Sequence, residues 1–275
     1  MEEPGYPPVA ELLRSQGLAV VGVPVDQHGL IVEAIPRQAR MVYVTPSHQF
    51  PLGVVMARHR RLELLRWATH HNAAVIEDDY DSEFRYTARP LEPLQRLDRD
   101  GRVIYVGTFS KTLSPALRLG FLVAPRSLIP AIRAVRQAAD WCPPGITQLA
   151  LTAFIEQGHL DRHLRRARLI YRERRRRLWA ALDVLPTGYQ RVASHAGLHL
   201  TVTGRDTPDD DHLLAVAADH DLLIGSLRYC FQDTDPAPGF IVGFGALPTG
   251  RVEAACEALR AALQPAGRGI DARMV

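Results

Sequence analysis

Lys111 follows Thr108 and Ser110, precedes Thr112 and Arg118, and comes directly after the apolar run Val103-Ile104-Tyr105-Val106-Gly107. A lysine amine at the carboxyl end of a buried strand can condense with a carbonyl to give a Schiff base. Neighbouring hydroxyls and a guanidinium one to two turns later can hold a phosphate dianion by charge-assisted hydrogen bonds. The ligand that asks for both is a phosphate-bearing aldehyde such as pyridoxal 5'-phosphate. Read alone, the segment fits a solvated lysine at a strand end better.

A second segment shifts that balance. Ala73-Ala74-Val75-Ile76 is apolar and ends in Glu77-Asp78-Asp79-Tyr80-Asp81. A pyridine ring serves as an electron sink while its nitrogen stays protonated, which requires a carboxylate partner. Asp78 can supply that carboxylate and Tyr80 a donor to the ring hydroxyl, because alternate residues leaving a strand point the same way. The competing reading of an Asp-rich strand end is a turn or a helix N-cap, and it is the one taken for Asp79 and Asp81.

Three motifs, in order, carry a family resemblance: Tyr43-Val44-Thr45-Pro46-Ser47-His48-Gln49-Phe50-Pro51-Leu52-Gly53, Glu77 to Tyr86, and Gly107 to Leu113. Over roughly residues 2 to 260 the chain resembles the aminotransferase-like domain of MocR-type regulators. These belong to the GntR superfamily and are built on the fold type I, class I aminotransferase scaffold. The resemblance implies Lys111 as the Schiff-base lysine, Asp78 as the pyridinium partner and Tyr80 as the ring-hydroxyl donor. Thr108, Ser110 and Arg118 match phosphate ligands, and Tyr6 an aromatic that stacks on the cofactor ring. It further implies a homodimer and an amino-acid or amine effector or substrate.

The elements needed to position these residues are legible. At 275 residues and 47% hydrophobic, the chain can bury a large core. Helices are expected at Pro8 to Gln16, Arg58 to His71, Ser127 to Ala139, Thr147 to Glu156, about Leu160 to Leu185, Pro208 to His220 and Thr249 to Leu263. Strands are expected at Ala19 to Val25, Arg40 to Val44, Ala73 to Glu77, Val103 to Gly107, Leu119 to Ala124, Gly197 to Val202 and Phe240 to Phe244. Alternating strands and helices predict an α/β fold with a mostly parallel sheet. With the resemblance, this becomes a fold type I large domain over 1–160, incomplete at its N-terminus. An interdomain helix over 161–185 and a smaller C-terminal α+β domain over 186–264 follow, with a disordered tail over 265–275.

Other classes are disfavoured. No apolar run approaches the roughly 20 residues that cross a bilayer, the N-terminus lacks a signal-peptide pattern, and Cys142, Cys230 and Cys256 are too scattered for a disulfide framework or zinc site. Cytoplasm is the expected location. Eight arginines between Arg165 and Arg177 invite a DNA-binding reading. Leu164, Ala167, Tyr171, Leu178 and Leu182 run through them at helical spacing, however, and Glu173 can pair with them. A solvated helix face is the expectation.

Departures from the family pattern bear on activity. The chain begins inside the large domain, so the resemblance implies that the DNA-binding domain, the first helices and the glycine-containing helix N-terminus that cups phosphate are absent, with weakened cofactor affinity. Phe50 stands where class I aminotransferases usually carry an asparagine that donates to the ring hydroxyl, and MocR-type relatives resemble this chain here, with His48 and Gln49 as the nearest polar substitutes. Ile241 stands where aminotransferases carry an arginine that forks the substrate carboxylate. Arg228 is the candidate replacement, with a surface arginine at a strand end the competing reading. Three functions remain: an effector-sensing domain, a working aminotransferase, and a remnant of the fold without cofactor.

Overall fold

β-Branched and aromatic residues between charged turns build the sheet that carries both motifs. The computed structural model describes residues 1–86, 92–141, 144–185, 187–205, 214–215, 217–218 and 224–263. Strands β1 (Glu2–Glu3), β2 (Val23–Asp26) and β3 (Gly29–Leu30) form a small sheet, with helix α1 (Pro7–Ser15) between the first two. The principal sheet has the order β4-β5-β6-β7: β4 (Met41–Val44), β5 (Ala74–Asp79), β6 (Val103–Thr108) and β7 (Gly120–Val123). β4, β5 and β6 are parallel and β7 runs antiparallel to β6. Helix α2 (Arg58–His70) is the crossover between β4 and β5, and the short α3 (Leu94–Leu97) precedes β6.

The pleat of β5 sorts its residues by face. Val75, Glu77 and Asp79 are buried, and Val75 packs with Leu64, Leu65 and Ala68 of α2, together with Val42 and Val44. On the opposite face Ile76 packs beside Tyr43 and Ala10 of α1. The sheet is thus covered on both faces at β4 and β5, as parallel strands require.

Helices α4 (Ile129–Asp140) and α5 (Gly145–Glu156) lead into the long α6 (His159–Ala181). A second, antiparallel sheet follows in the order β10-β11-β9-β8, from β8 (Tyr189–Arg191), β9 (His199–Gly204), β10 (Ile224–Ser226) and β11 (Gly239–Gly243). It shares a separate apolar core with Leu178 and Ala181 of α6 and Val252, Ala255, Cys256 and Leu259 of α7 (Val252–Leu263). Among the described residues no helix is long and apolar enough to cross a membrane.

The expected elements occur within a few residues of their anticipated bounds, with β1, β3, β8, β10 and α3 added. The helix expected over Pro208 to His220 falls largely outside the described residues, as do the tail after Gln264 and Cys142. The arginine run on α6 is only partly a solvated face. Glu173 pairs with Arg176 and Arg177, both at 2.8 Å. Three half-buried arginines instead tether α6 to other segments: Arg168 donates to the Glu83 carbonyl at 2.6 Å, Arg174 to the Gly245 carbonyl at 2.9 Å, and Arg175 to the Ser194 carbonyl.

One flank is bare. Every residue of β7 is exposed, no residue of α4 or α5 is buried, and Val135, Trp141, Ile146 and Leu149 are each at least 69% accessible.

Candidate cofactor site

Asp78 and Lys111 both sit where parallel strands run out at their carboxyl ends, the place where open α/β sheets bind ligands. Asp78 is the penultimate residue of β5, opposite Val106 of β6, and Lys111 lies three residues beyond the end of β6. Register therefore brings the two chain segments side by side.

The Asp78 carboxylate accepts a hydrogen bond from the Tyr43 hydroxyl of β4. Burial pushes its pKa up, with Tyr43 opposing and Asp79 and Asp81 reinforcing the rise. A half-buried carboxylate with one neutral donor and two acidic neighbours is short of positive charge. Tyr80 lies beyond the strand end, its phenol pushed far above the usual range by burial and then by Asp81 and Asp78. It is therefore a proton donor and not a phenolate. Tyr6, at the start of α1, meets the edge of Phe50 at 5.3 Å, and Phe50 in turn meets Tyr80 at 6.4 Å and His199 at 5.4 Å.

Lys111 is exposed. Its charge reaches His199 of β9, whose pKa is lowered to about 4, first by burial and then by His48. Thr108 accepts the Ser110 N–H on its hydroxyl at 3.1 Å, which folds the chain beyond β6 back on itself. Arg118 is exposed at φ 51°, in the left-handed region, just before β7. Thr108, Ser110, Lys111 and Arg118 therefore share one strand-to-strand connection, as their spacing predicts. Arg228 lies in a 3-10 turn, Leu227–Cys230, its side chain exposed, and the Cys230 carbonyl of that turn accepts the N–H of Gly5, next to Tyr6, at 2.8 Å. Ile241 lies within β11, opposite Thr201 and Gly225.

The loop from Thr45 to Gly53 is braced from within. Gln49 donates to the Pro4 carbonyl at 2.7 Å and accepts from Leu52 N–H at 2.9 Å. Arg61, wholly buried on α2, donates to the Pro46 carbonyl at 2.7 Å and the Glu92 carbonyl at 3.0 Å, with Glu77 at 3.9 Å. Glu2, its pKa raised to about 7 by burial, accepts from the Thr45 hydroxyl at 2.7 Å and the Thr45 N–H at 3.0 Å. His48 is buried behind Tyr80, with Nδ1 facing Asp81 and Tyr80 and Nε2 facing Ser194.

Sequence reasoning missed several of these residues. Asp81, read as a turn residue, is instead the buried partner of His48, at 3.0 Å. Tyr43 shares a sheet face with Asp78, a relation that strand alternation could have exposed once β4 and β5 were paired. Ser194 arrives from the connection between β8 and β9 and His199 from β9, and no local pattern marks them.

A family model for aminotransferase class I and II matches residues 1–235. The chain is 36% identical over 273 residues to a probable rhizopine catabolism regulatory protein, MocR, of Rhizobium meliloti, covering 95% of this chain and 54% of that protein. It is 35% identical over 245 residues to the pyridoxine biosynthesis transcriptional regulator PdxR of Corynebacterium glutamicum, covering 89% and 53%. The chain thus spans little more than half the length of the curated relatives it matches. Among solved structures, the kynurenine aminotransferase of Pyrococcus horikoshii superposes with a TM-score of 0.87 at 26% identity, covering 95% of this chain and 68% of that one. The multiple substrate aminotransferase of Thermococcus profundus superposes with a TM-score of 0.86, also at 26% identity, with the same coverage. These neighbours bear out the fold type I expectation. The chain therefore belongs to the aminotransferase class I and II family, as an aminotransferase-like domain closely related to MocR-type regulators.

Proposed function

We propose that this chain is the sensing part of a MocR-type transcriptional regulator, binding pyridoxal 5'-phosphate through Lys111 and responding to the cofactor or to an amino compound. The observation that carries the reading is Asp78: a half-buried carboxylate with a raised pKa and one neutral donor, at a strand end beside the Lys111 connection. When bound, the cofactor supplies an electron-withdrawing ring that stabilises negative charge on an attached carbon. Asp78 holds the ring-nitrogen proton, and Tyr80 donates to the ring hydroxyl. Thr108, Ser110 and Arg118 take the phosphate, and Tyr6 with Phe50 covers a ring face. Lys111 holds the aldehyde carbon.

The two apolar cores correspond, in this reading, to a large domain over 1–160 and a small one over 186–264, joined by a helix over 161–185. The protein works in the cytoplasm as a homodimer, and a second copy covers the apolar flank of β7, α4 and α5. That flank adjoins the site. Phe109, two residues before Lys111, lines a hollow of about 390 Å³ there with Phe121, Leu151 and Ile155.

The test is to mix the purified chain with pyridoxal phosphate and record the visible absorption of lysine-bound cofactor. Wild type is expected to show the band and Lys111→Ala to lack it. A wild type without the band defeats the reading. Keto-acid release on adding amino acids would instead identify a working aminotransferase, to which the solved neighbours at 26% identity correspond.

A further inference from the structure

His48 joins the two sheets at the point nearest Tyr80. Its Nδ1 lies 3.1 and 3.0 Å from the two oxygens of Asp81, and 3.0 Å from the Tyr80 hydroxyl. A carboxylate only accepts, so Nδ1 carries a proton. A protonated nitrogen cannot accept, so the Tyr80 hydroxyl does not spend its own proton there. The phenol oxygen instead receives part of the Nδ1–H, which leaves the phenol proton for another acceptor. On the far side of the ring Nε2, the accepting nitrogen of this tautomer, lies 2.9 Å from the Ser194 hydroxyl, whose single proton is shared between Nε2 and the Ala196 carbonyl at 3.1 Å.

The surroundings fix this arrangement. Gly197, at φ +85°, approaches so closely that a Cβ there would run into the His48 ring. Arg175 of α6 donates to the Ser194 carbonyl, its guanidinium stacked over Tyr86 at 5.7 Å and Trp179 at 5.4 Å. Beside His48, the carbonyl of Pro51 accepts from His199 and from Thr201, both of β9. The Thr45 to Gly53 loop is therefore gripped by the second sheet at His48 and at Pro51.

We propose that His48 is a positioning residue: it aims the Tyr80 hydroxyl proton into the cofactor site and links that hydroxyl, through Ser194, to the second sheet. The proposal rests on the reading that Tyr80 faces the ring hydroxyl of pyridoxal phosphate. It adds a route by which occupancy of the site is felt at the β8–β9 connection. A Tyr80 hydroxyl engaged as a donor in the site becomes a better acceptor for the Nδ1–H, and the imidazole couples that change to Ser194.

The test compares wild type with His48→Phe, His48→Asn, Tyr80→Phe and the His48→Phe/Tyr80→Phe pair. Phenylalanine keeps the ring volume without donors, whereas asparagine keeps a donor near the position of Nδ1. With pyridoxal phosphate bound, the pH midpoint of its visible spectrum is expected to move by about one unit in His48→Phe, in the same direction as in Tyr80→Phe. The double variant should move no further, and His48→Asn should restore most of the wild-type value. A midpoint that stays put while only the melting temperature falls, or shifts that add in the double variant, overturns the proposal.

Failure of the cofactor to bind defeats the functional reading and leaves a second measurement to decide His48. In the free protein, nitrogen-15 NMR is expected to show a protonated His48 Nδ1 that is lost in Asp81→Asn. The Tyr80 ζ-carbon shift should move in His48→Phe and recover in His48→Asn. An unprotonated Nδ1, or a Tyr80 signal indifferent to His48, overturns the proposal.

Discussion

The Tyr43 hydroxyl donates to the Asp78 carboxylate across the pairing of β4 with β5. Tyr43 lies opposite Ile76, two residues before Asp78 on the same face, so the sheet itself sets the bond. Hydrogen bonds to a buried charge are worth about 1.5–3 kcal/mol. Tyr43→Phe should raise the Asp78 pKa further and weaken pyridoxal phosphate binding about tenfold, read by absorbance titration. Equal affinity in wild type and variant would show that this bond does not support the site.

The pH dependence of folding should carry two opposed contributions. His199 has its folded pKa lowered to about 4 from 6.5, chiefly by burial. Between those values the unfolded chain takes up a proton that the folded one refuses, so the stability this residue confers at neutral pH is lost as pH falls from 6.5 to about 4. Glu2 works the other way. Its folded pKa is raised from 4.5 to about 7, so the folded chain holds the extra proton, and stability is lost as pH rises across that window. Denaturant titrations at successive pH values check both signs. Relative to wild type, His199→Gln should remove the acid-side loss and Glu2→Gln the loss toward neutrality, each by up to about 1.4 kcal/mol per pH unit. A difference of the opposite sign for either variant would refute the assignment.

Gly197→Ala combines two penalties. The residue adopts φ +85°, where a side chain is strained, and the new methyl would occupy the position of the His48 ring. The Tyr86 hydroxyl donates to the Gly197 carbonyl at 2.9 Å, so the backbone cannot simply swing away. The variant should lose about 2–4 kcal/mol of stability and release the contact between the Thr45 to Gly53 loop and the second sheet. Thermal melting measures the first effect, and faster hydrogen exchange over Ser194 to Gly197 the second.

Much of this was legible in the chain. Strands β5 and β6 announce themselves as apolar runs ending in chemistry, and parallel pairing then forces Asp78 and Lys111 to one edge of the sheet. The spacing of Thr108, Ser110 and Arg118 around Lys111 translated directly into one connection. What stayed hidden depends on sequence separation and on burial. Ser194 meets His48 across 146 residues, and nothing local distinguishes it from other serines. Asp81 looks like any acidic turn residue until a buried histidine is found beside it. Arg61 is the plainest case. On an arginine-rich helix it reads as solvated, yet it is buried, because four oxygen acceptors converge where its guanidinium lies.

The bare flank gives the last prediction. β7 ends the principal sheet, so its outer edge has no neighbour among the described residues, and all four of its residues are exposed. Beside it Val135, Trp141, Ile146 and Leu149 present large apolar side chains to water. Large apolar side chains exposed on an edge strand and two neighbouring helices are the feature expected of an interaction surface. If a second copy covers it, sedimentation at micromolar concentration should report a dimer, and Ile146→Lys combined with Leu149→Lys should give monomers. Because both side chains are exposed, the melting temperature of the monomer should hardly change. A dimer that survives the two lysines must form through another face, and a wild type that sediments only as a monomer removes the homodimer from the functional reading.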